Sequence, residues 1–546
     1  MGADHAASGG RVRMESVFSL SFLGAFLPLV VVCYQLMPGR HRWKVLLGFS
    51  LLFFLIVSKA LLVFFAASSV SVYAAALLIE KNFESEKEHL SNIPKDQKEQ
   101  KKQLKGKMQT KRRWIVAAAL LIVFGILAVL KYSGFLLETT SNCMKALGHS
   151  VSLPTVHFAL PIGISFYTMT AASYLFDVYR KTIPADHNIF RVVLYLGFFA
   201  QLSEGPISRY QQTADSLWEG RPITWHNLTF GMQRILIGLI KELVVADRLN
   251  KMIATIFNNY TACDGGVIAV GMIGYTIQLY MDFSGAMDVV LGIGEIFDIR
   301  FPENFRQPFF SRTISEFWTR WHITLGTWFR DYLFYPVSMS KPLKKLTMAS
   351  RKKLGNHFGP LVSGAIALFC VWICNGIWHG AGWNYIFFGL YHFILILTGS
   401  ITEPFSRKLI AKLKIKSDTK SYHVMQIIRT VILVNIGELF FRADTLTKGF
   451  SMFARMVTGF TVKGISNGTL LTLGMDMQDF AIVGVCVICV FAMDVMREKG
   501  ICLRQKVAGF PVWVRWSVYY SLVMAAILFG AYGTGYLPLD PIYANF

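Results

Sequence analysis

The sequence predicts an all-α, polytopic membrane protein, and three observations carry that expectation. Of 546 residues, 53% are hydrophobic and only 16% are charged, whereas a soluble domain carries about 25% charged residues. Mean hydropathy is +0.44. Apolar runs of roughly 20 residues or fewer recur along the whole chain, and most connections between them are basic. The chain therefore reads as one helical bundle over 14–546 after an N-terminal tail (1–13), not as a string of soluble domains.

The elements follow in order. Residues 16–37 form the first apolar run; it lacks a cleavage site and is expected as a retained helix, not a signal peptide. The short basic PGRHRWK (38–44) leads into runs 45–65 and 66–79. Residues 80–113 are the most polar segment, rich in Lys and Glu. They fit a solvated helical hairpin or flexible loop, or a partner or lipid-headgroup contact. Further runs cover 114–135, 158–178, 190–204, 229–247, 264–281 and 284–298. A polar, aromatic stretch (301–336) and a basic loop (341–357) come next. Runs 358–378 and 383–399 make a hairpin with its apex at His379-Gly380-Ala381-Gly382. After a second basic loop (405–416), runs 424–441, 480–496 and 512–533 complete the chain. Several runs are short enough to be re-entrant, so about 11–14 membrane helices are expected.

Net charge is +22. In a soluble protein that would suggest nucleic acid; here no nucleic-acid partner is expected, and the excess Lys and Arg mark cytoplasmic loops. A basic cytosolic face also attracts an anionic donor. Placing both termini outside puts 38–44, 80–113, 179–187, 248–251, 341–357, 405–416 and 497–506 inside and the weakly charged 136–157 and 464–478 outside. The eight cysteines include one CxxC spacing, Cys486–Cys489, but these two and Cys374 lie in apolar runs as small hydrophobes. Neither a disulfide framework nor a metal site is expected.

The stretch 301–336 is too polar to span a bilayer: Arg306, Arg312, Glu316, Arg320, His322, Arg330 and Asp331 would each be costly in hydrocarbon. Within it, Phe317, Trp321, Leu325 and Trp328 recur at spacings of four, four and three, one face of a helix. An amphipathic helix, or two short ones, is expected at the interface or folded into a protein cavity. In Trp372–Asn384, His379 stands between apolar runs among glycines and tryptophans. An ionisable residue at such depth is a functional candidate.

SEFWTRWHITLGTWFRDYLFYP and GIWHGAGWN resemble the two signature regions of the membrane-bound O-acyltransferase (MBOAT) family. PIGISFYTMTAASYLFDVYR (161–180), LSEGPISRY (202–210), YMDFSGAMDVVLGIGEIFDIRFPENF (280–305) and ELFFRA (438–443) agree with it. The resemblance runs from about Met14 to the end. It favours the branch holding the membrane subunits of bacterial alginate and polysaccharide O-acetyltransferases, with the teichoic-acid D-alanyl transfer protein as the next relative. Lys131-Tyr132 resembles a family KY pair, the other reading being a snorkelling lysine. Glu204 stands where the family has a small or apolar residue, which leaves its role open.

The resemblance implies a bundle around a central tunnel and an acyl transfer to a hydroxyl. That chemistry needs a general base, donors for the developing oxyanion and exclusion of water. A histidine suits the first need. His379 matches the family's catalytic histidine, and a buried, hydrogen-bonded histidine is the other reading. His322, in RWH, matches the second histidine; otherwise it is bonded to a backbone carbonyl. Trp378 and Trp383 would wall the site, with the surrounding glycines letting backbone amides approach the thioester. Asn384 would orient His379 or the acceptor, and Trp321 would join the substrate-binding set. Arg320 and Arg330 would hold donor phosphates or pair with Glu316 and Asp331. Asp282 and Asp288 read as partners of buried polar groups.

The implied donor is acetyl-CoA or another acyl thioester, arriving from the cytosol as substrate, with no bound cofactor. The implied partners are an extracytoplasmic SGNH-type protein, a polysaccharide acceptor and membrane lipids, at the bacterial cytoplasmic membrane. D-alanyl transfer to teichoic acid is the alternative enzyme. A transporter with a histidine proton relay is the non-enzymatic alternative, against which the halves show no inverted repeat.

Overall fold

The computed structural model describes residues 18–532, apart from 20, 150–152, 155 and 157, together with Tyr536. The tail 1–13 lies outside the described residues. Among these residues the regular structure is helical, with one isolated antiparallel bridge between Phe305 and Trp321. Eight helical stretches are long and apolar enough to cross a membrane: Gly39–Ser91, Lys98–Ala146, Gly265–Ile296, Lys341–His379, Trp383–Lys412, Lys420–Arg442, Met477–Glu498 and Val512–Phe529. The protein is a multi-pass, all-α membrane protein.

Eight is fewer than the apolar runs suggested, because runs and helices do not coincide. Runs 45–65 and 66–79 belong to Arg42–Ser58 and Leu62–Ser91, divided at Lys59, whose φ is +48°. Runs 264–281 and 284–298 are one helix, Gly265–Ile296. Its Asp282 and Ser284 are buried, so they mark an interior rather than a loop. Other runs are short or interrupted: Phe22–Leu36 has too few residues to be counted as a span, Ile164–Tyr179 is buried over most of its length, and the rod Trp225–Asn258 contains a π-helical insertion, Ile240–Ala246.

The basic loops are more helical than expected. Residues 80–113 form the ends of Leu62–Ser91 and Lys98–Ala146, a helical hairpin turning over 92–97. Arg112 closes it by bonding Asn82 at 2.9 Å and pairing with Glu86. The basic 341–354 lies inside Lys341–His379, which kinks at Gly355, φ +79°. Only glycine adopts that backbone cheaply, so the sequence itself sets the bend. Trp383–Lys412 likewise carries helix well into the second basic loop.

Gly265–Ile296 is the axis of the molecule. Its apolar window is 78% buried, against 6–44% for the other seven, which turn apolar faces outward as lipid requires. The tightest neighbour is Trp225–Leu239, and the reason is a repeat of seven. Gly231 and Gly238 face Gly292 and Gly285, and a Cβ on Gly238 would lie 2.5 Å from the Gly285 carbonyl. Small residues allow such backbone approach between membrane helices. Interleaved at the same period, Arg234 and Lys241 meet Glu295 and Asp288. Lys241 Nζ lies 2.7 Å and Arg234 Nε 3.1 Å from the Asp288 carboxylate. Arg234 also reaches Glu295 at 3.2 Å and Glu303 at 2.6 Å. Asp288 is thus the structural partner expected of it. Asp282 is partnered as well, sharing a side-chain hydrogen bond with the buried Glu242, with Glu204 and Asp247 as further acidic neighbours.

Candidate functional site

The aromatic stretch after Arg300 folds into the interior instead of lying on a membrane face. It forms two seven-residue helices, Ile314–Arg320 and Ile323–Phe329, and a π-helical turn, Arg330–Phe334. Phe317, Trp321, Leu325 and Trp328, the periodic stripe, are all buried. The helix is nevertheless broken in their midst. His322 has φ +47° and ψ +52°, the left-handed region that costs a β-carbon-bearing residue steric strain.

The break is pinned from outside. Phe305 pairs with Trp321, Arg306 N donates to Arg320 O at 2.9 Å, and Ile323 N donates to Asn304 O at 3.0 Å. Trp321 packs against Phe305, Phe309 and Phe317 at centroid separations of 5.0–6.3 Å. It supports the break from beneath.

Asn304 decides the chemistry of His322. Its Oδ1 accepts from Thr324 N and Thr324 Oγ1, both at 3.0 Å. The backbone N–H can only donate, so this atom must be the amide oxygen. It lies 3.2 Å from His322 Nδ1, which therefore carries the hydrogen and leaves the lone pair on Nε2. Burial, and then the neighbouring His379, hold the His322 imidazole well below its usual pKa. His322 is thus a neutral base of fixed tautomer, its Nδ1 bonded to a side-chain amide.

His379 arrives differently, as the last residue of Lys341–His379. Trp378, almost fully buried, stands between the two histidines. Its ring centroid is 5.7 Å from that of His322 and 5.0 Å from that of His379. Phe441 meets His379 edge-on at 5.1 Å, and Phe283 meets His322 at 4.7 Å. The site is lined by aromatic rings, and it joins the left-handed turn at His322 to the end of Lys341–His379.

Other expected residues fall into place around it. Asn384 Nδ2 donates to the Ala443 carbonyl at 3.0 Å. It anchors the ELFFRA segment, whose Phe441 packs on His379. Trp383 is 54% exposed and meets Phe135 edge-on; it lies outside the enclosure and does not wall it. The glycines of the apex leave room for neighbouring side chains: a Cβ on Gly380 would strike the Tyr385 ring at 2.2 Å, and one on Gly382 would meet Asn384 Oδ1 at 2.4 Å. Arg320 is ion-paired with Glu316 at 2.9 Å and with Glu498 at 2.9 Å. Arg330 pairs with Asp331 at 2.8 Å and faces outward.

A cavity of about 720 Å³ opens at Ile323, the residue after His322. Arg234, Arg306, Arg320, Arg497 and Arg504 line it, with Glu303, Glu498 and Ile323. Among the described residues neither Arg306 nor Arg497 is ion-paired. A narrower recess shares Arg234, Phe305 and Arg497 with it and ends at Asn304.

Two residues escaped the sequence reading. Asn304 lay in a quoted motif, PENF, but nothing local signals its pairing with a residue 18 positions on. His392, fully buried, accepts from Trp318 Nε1 at 3.2 Å through Nδ1 and packs against Trp372 at 5.4 Å. It sits in the apolar run 383–399, so the rule that singled out His379 also finds it. No group of three or more His, Cys, Asp or Glu placed to hold a metal occurs among the described residues.

The chain is similar to known proteins over most of its length. The MBOAT, membrane-bound O-acyltransferase family, model matches residues 92–351, a span that includes His322 and ends before His379. A protein of Azotobacter vinelandii named probable alginate O-acetylase AlgI is 30% identical over 460 residues, covering 84% of this chain and 81% of the relative. A Helicobacter pylori peptidoglycan O-acetyltransferase is 26% identical over 401 residues, covering 68% of each. A Bacillus subtilis teichoic acid D-alanyltransferase is 28% identical over 251 residues, covering 45% of this chain and 60% of the relative. The chain belongs to the membrane-bound O-acyltransferase family and is an O-acyltransferase.

Proposed function

We propose that this protein takes an acetyl group from acetyl-CoA at the cytosolic face of the bacterial cytoplasmic membrane and passes it towards an extracytoplasmic polysaccharide. The observation that carries this reading is the meeting of His322 and His379 around Trp378, next to an arginine-lined cavity. The relatives named for O-acetylation of alginate and of peptidoglycan support acetyl as the cargo. The basic connections support an orientation with both termini outside and the arginine-lined cavity towards the cytosol.

His379 acts as the base. Its imidazole takes the proton of the acceptor hydroxyl as that oxygen bonds to the thioester carbonyl carbon. The C–S bond breaks, and the leaving thiolate takes the proton back from the imidazolium. His322, with its Nε2 lone pair, positions the donor or shares the proton. The aromatic enclosure keeps out water, which would otherwise consume the thioester. Arg306 and Arg497 hold donor phosphates. Arg320 and Arg330 are kept from that work by Glu498, Glu316 and Asp331. An SGNH-type partner outside the membrane places the acetyl group on the polymer.

D-alanyl transfer from a carrier is the second reading, favoured by the Bacillus subtilis relative. A carrier presents one phosphodiester, and the pair Arg306 and Arg497 suits the several phosphates of coenzyme A better. The test uses purified protein with radiolabelled acetyl-CoA. Thioester cleavage by the wild type and its loss in His379→Ala supports the reading. No cleavage by wild type, with turnover of carrier-bound D-alanine, overturns the choice of donor.

A further inference from the structure

The helix that ends in His379 is held by a second helix at its last turn. Lys131 Nζ, on Lys98–Ala146, donates to the Trp378 carbonyl at 2.6 Å and to Ser165 Oγ at 3.3 Å. The next residue, Tyr132, donates through its hydroxyl to the Ile377 carbonyl at 2.7 Å. One turn further, Phe135 meets Trp383 edge-on at 5.8 Å. Three residues on one helix therefore hold both sides of the Gly380–Gly382 apex.

The physical need for this grip is plain. The last four carbonyls of a helix have no partner within it. In a dry interior, unpaired carbonyls are costly. Lys131 and Tyr132 satisfy two of the four. A snorkelling lysine would point its charge at water; this one is turned inward, over the carbonyl that precedes His379. Beyond His379 the chain runs Gly-Ala-Gly, which supplies little stiffness of its own.

We infer that Lys131 and Tyr132 are positioning residues for acyl transfer: by tying down the Ile377 and Trp378 carbonyls, they fix the last turn of the helix and so the imidazole of His379. The inference rests on the reading of His379 as the base. It assigns Trp383 a role as well, as the outer latch of the same grip.

The experiment compares Lys131→Met, Lys131→Arg and Tyr132→Phe with wild type, as full-length protein in detergent turning over acetyl-CoA. Lys131→Met is expected to lower kcat by about 10–100-fold, the scale at which small misplacements act. Its KM for the donor should stay within about twofold, because the lysine touches no part of the arginine-lined cavity. Lys131→Arg, which can still donate to Trp378 O, should recover most of kcat. Tyr132→Phe, which keeps the ring, should lose about 3–10-fold in kcat. Wild-type kcat in Lys131→Met, equal losses in the Met and Arg variants, or a KM rise at unchanged kcat each overturns the inference. If Lys131→Met does not fold, an unchanged kcat in well-folded Tyr132→Phe overturns it. His379→Ala runs alongside. An active His379→Ala removes the base on which the inference rests. An inactive one, with fully active Lys131 and Tyr132 variants, removes the positioning role alone.

Discussion

The two histidines reach one place by opposite routes. His379 is delivered by a regular element, a 39-residue helix that stops where the chemistry begins. His322 is delivered by a failure of regularity, a left-handed residue between two seven-residue helices. The first is fixed by carbonyls held from a neighbouring helix. The second is fixed by a side-chain amide, Asn304, that also sets its tautomer. A site of this kind joins a stiff rod to a strained turn, and the turn needs the more local support.

The largest effect should come from the rod. His379→Ala is expected to abolish acyl transfer while the protein elutes and melts as wild type, since a general base contributes about 10²–10⁴-fold. Retained activity would sink the assignment. Next comes the turn. Asn304→Leu removes the acceptor that orients His322 and should lower kcat by about 10–100-fold, the range seen when an orienting partner is lost. Kinetics that match wild type would show that the tautomer does not matter. Arg306→Ala with Arg497→Ala should raise the donor KM by about 5–20-fold, as lost charge-assisted contacts are worth about 1–2 kcal/mol at a wet cavity, with kcat little changed.

Two predictions sharpen the contrast through stability. Gly238→Leu would press a side chain onto the Gly285 carbonyl, 2.5 Å from its Cβ position. The cost should be about 1–3 kcal/mol, read as a lower thermal midpoint in detergent. The smallest effect is with pH. The His322 pKa is depressed from its ordinary 6.5, so below that pH the unfolded chain binds the additional proton and the folded one does not. Stability should therefore fall as pH drops through about 6.5. His322→Asn should flatten the fall in thermal midpoint between pH 7 and 5; an unchanged slope would assign it to other groups.

Much of this was legible before any coordinates. Composition gives a membrane bundle because apolar surface on this scale has no soluble solution. His379 is conspicuous for being ionisable among apolar runs, and the Phe317–Trp328 stripe marks a buried face. The helix count was less legible. Asp282 and Ser284 look like a loop from their polarity, yet buried polar groups inside a bundle lie in mid-helix as readily as at its ends. Trp383 reads like Trp378 in sequence, but it stands on the outer side of a turn.

By itself the sequence determined the class of protein, the kink at Gly355 and the histidine at the end of its helix. Each depends on residues close together in the chain, through spacing, φ preference or local polarity. Only the tertiary structure decided that His322 meets His379, that Asn304 fixes its tautomer, that His392 lies against Trp318, and that Lys131 turns inward. Those are contacts between residues 18 to 247 positions apart. No local pattern encodes them, because they exist only once packing has brought separate helices to the same point.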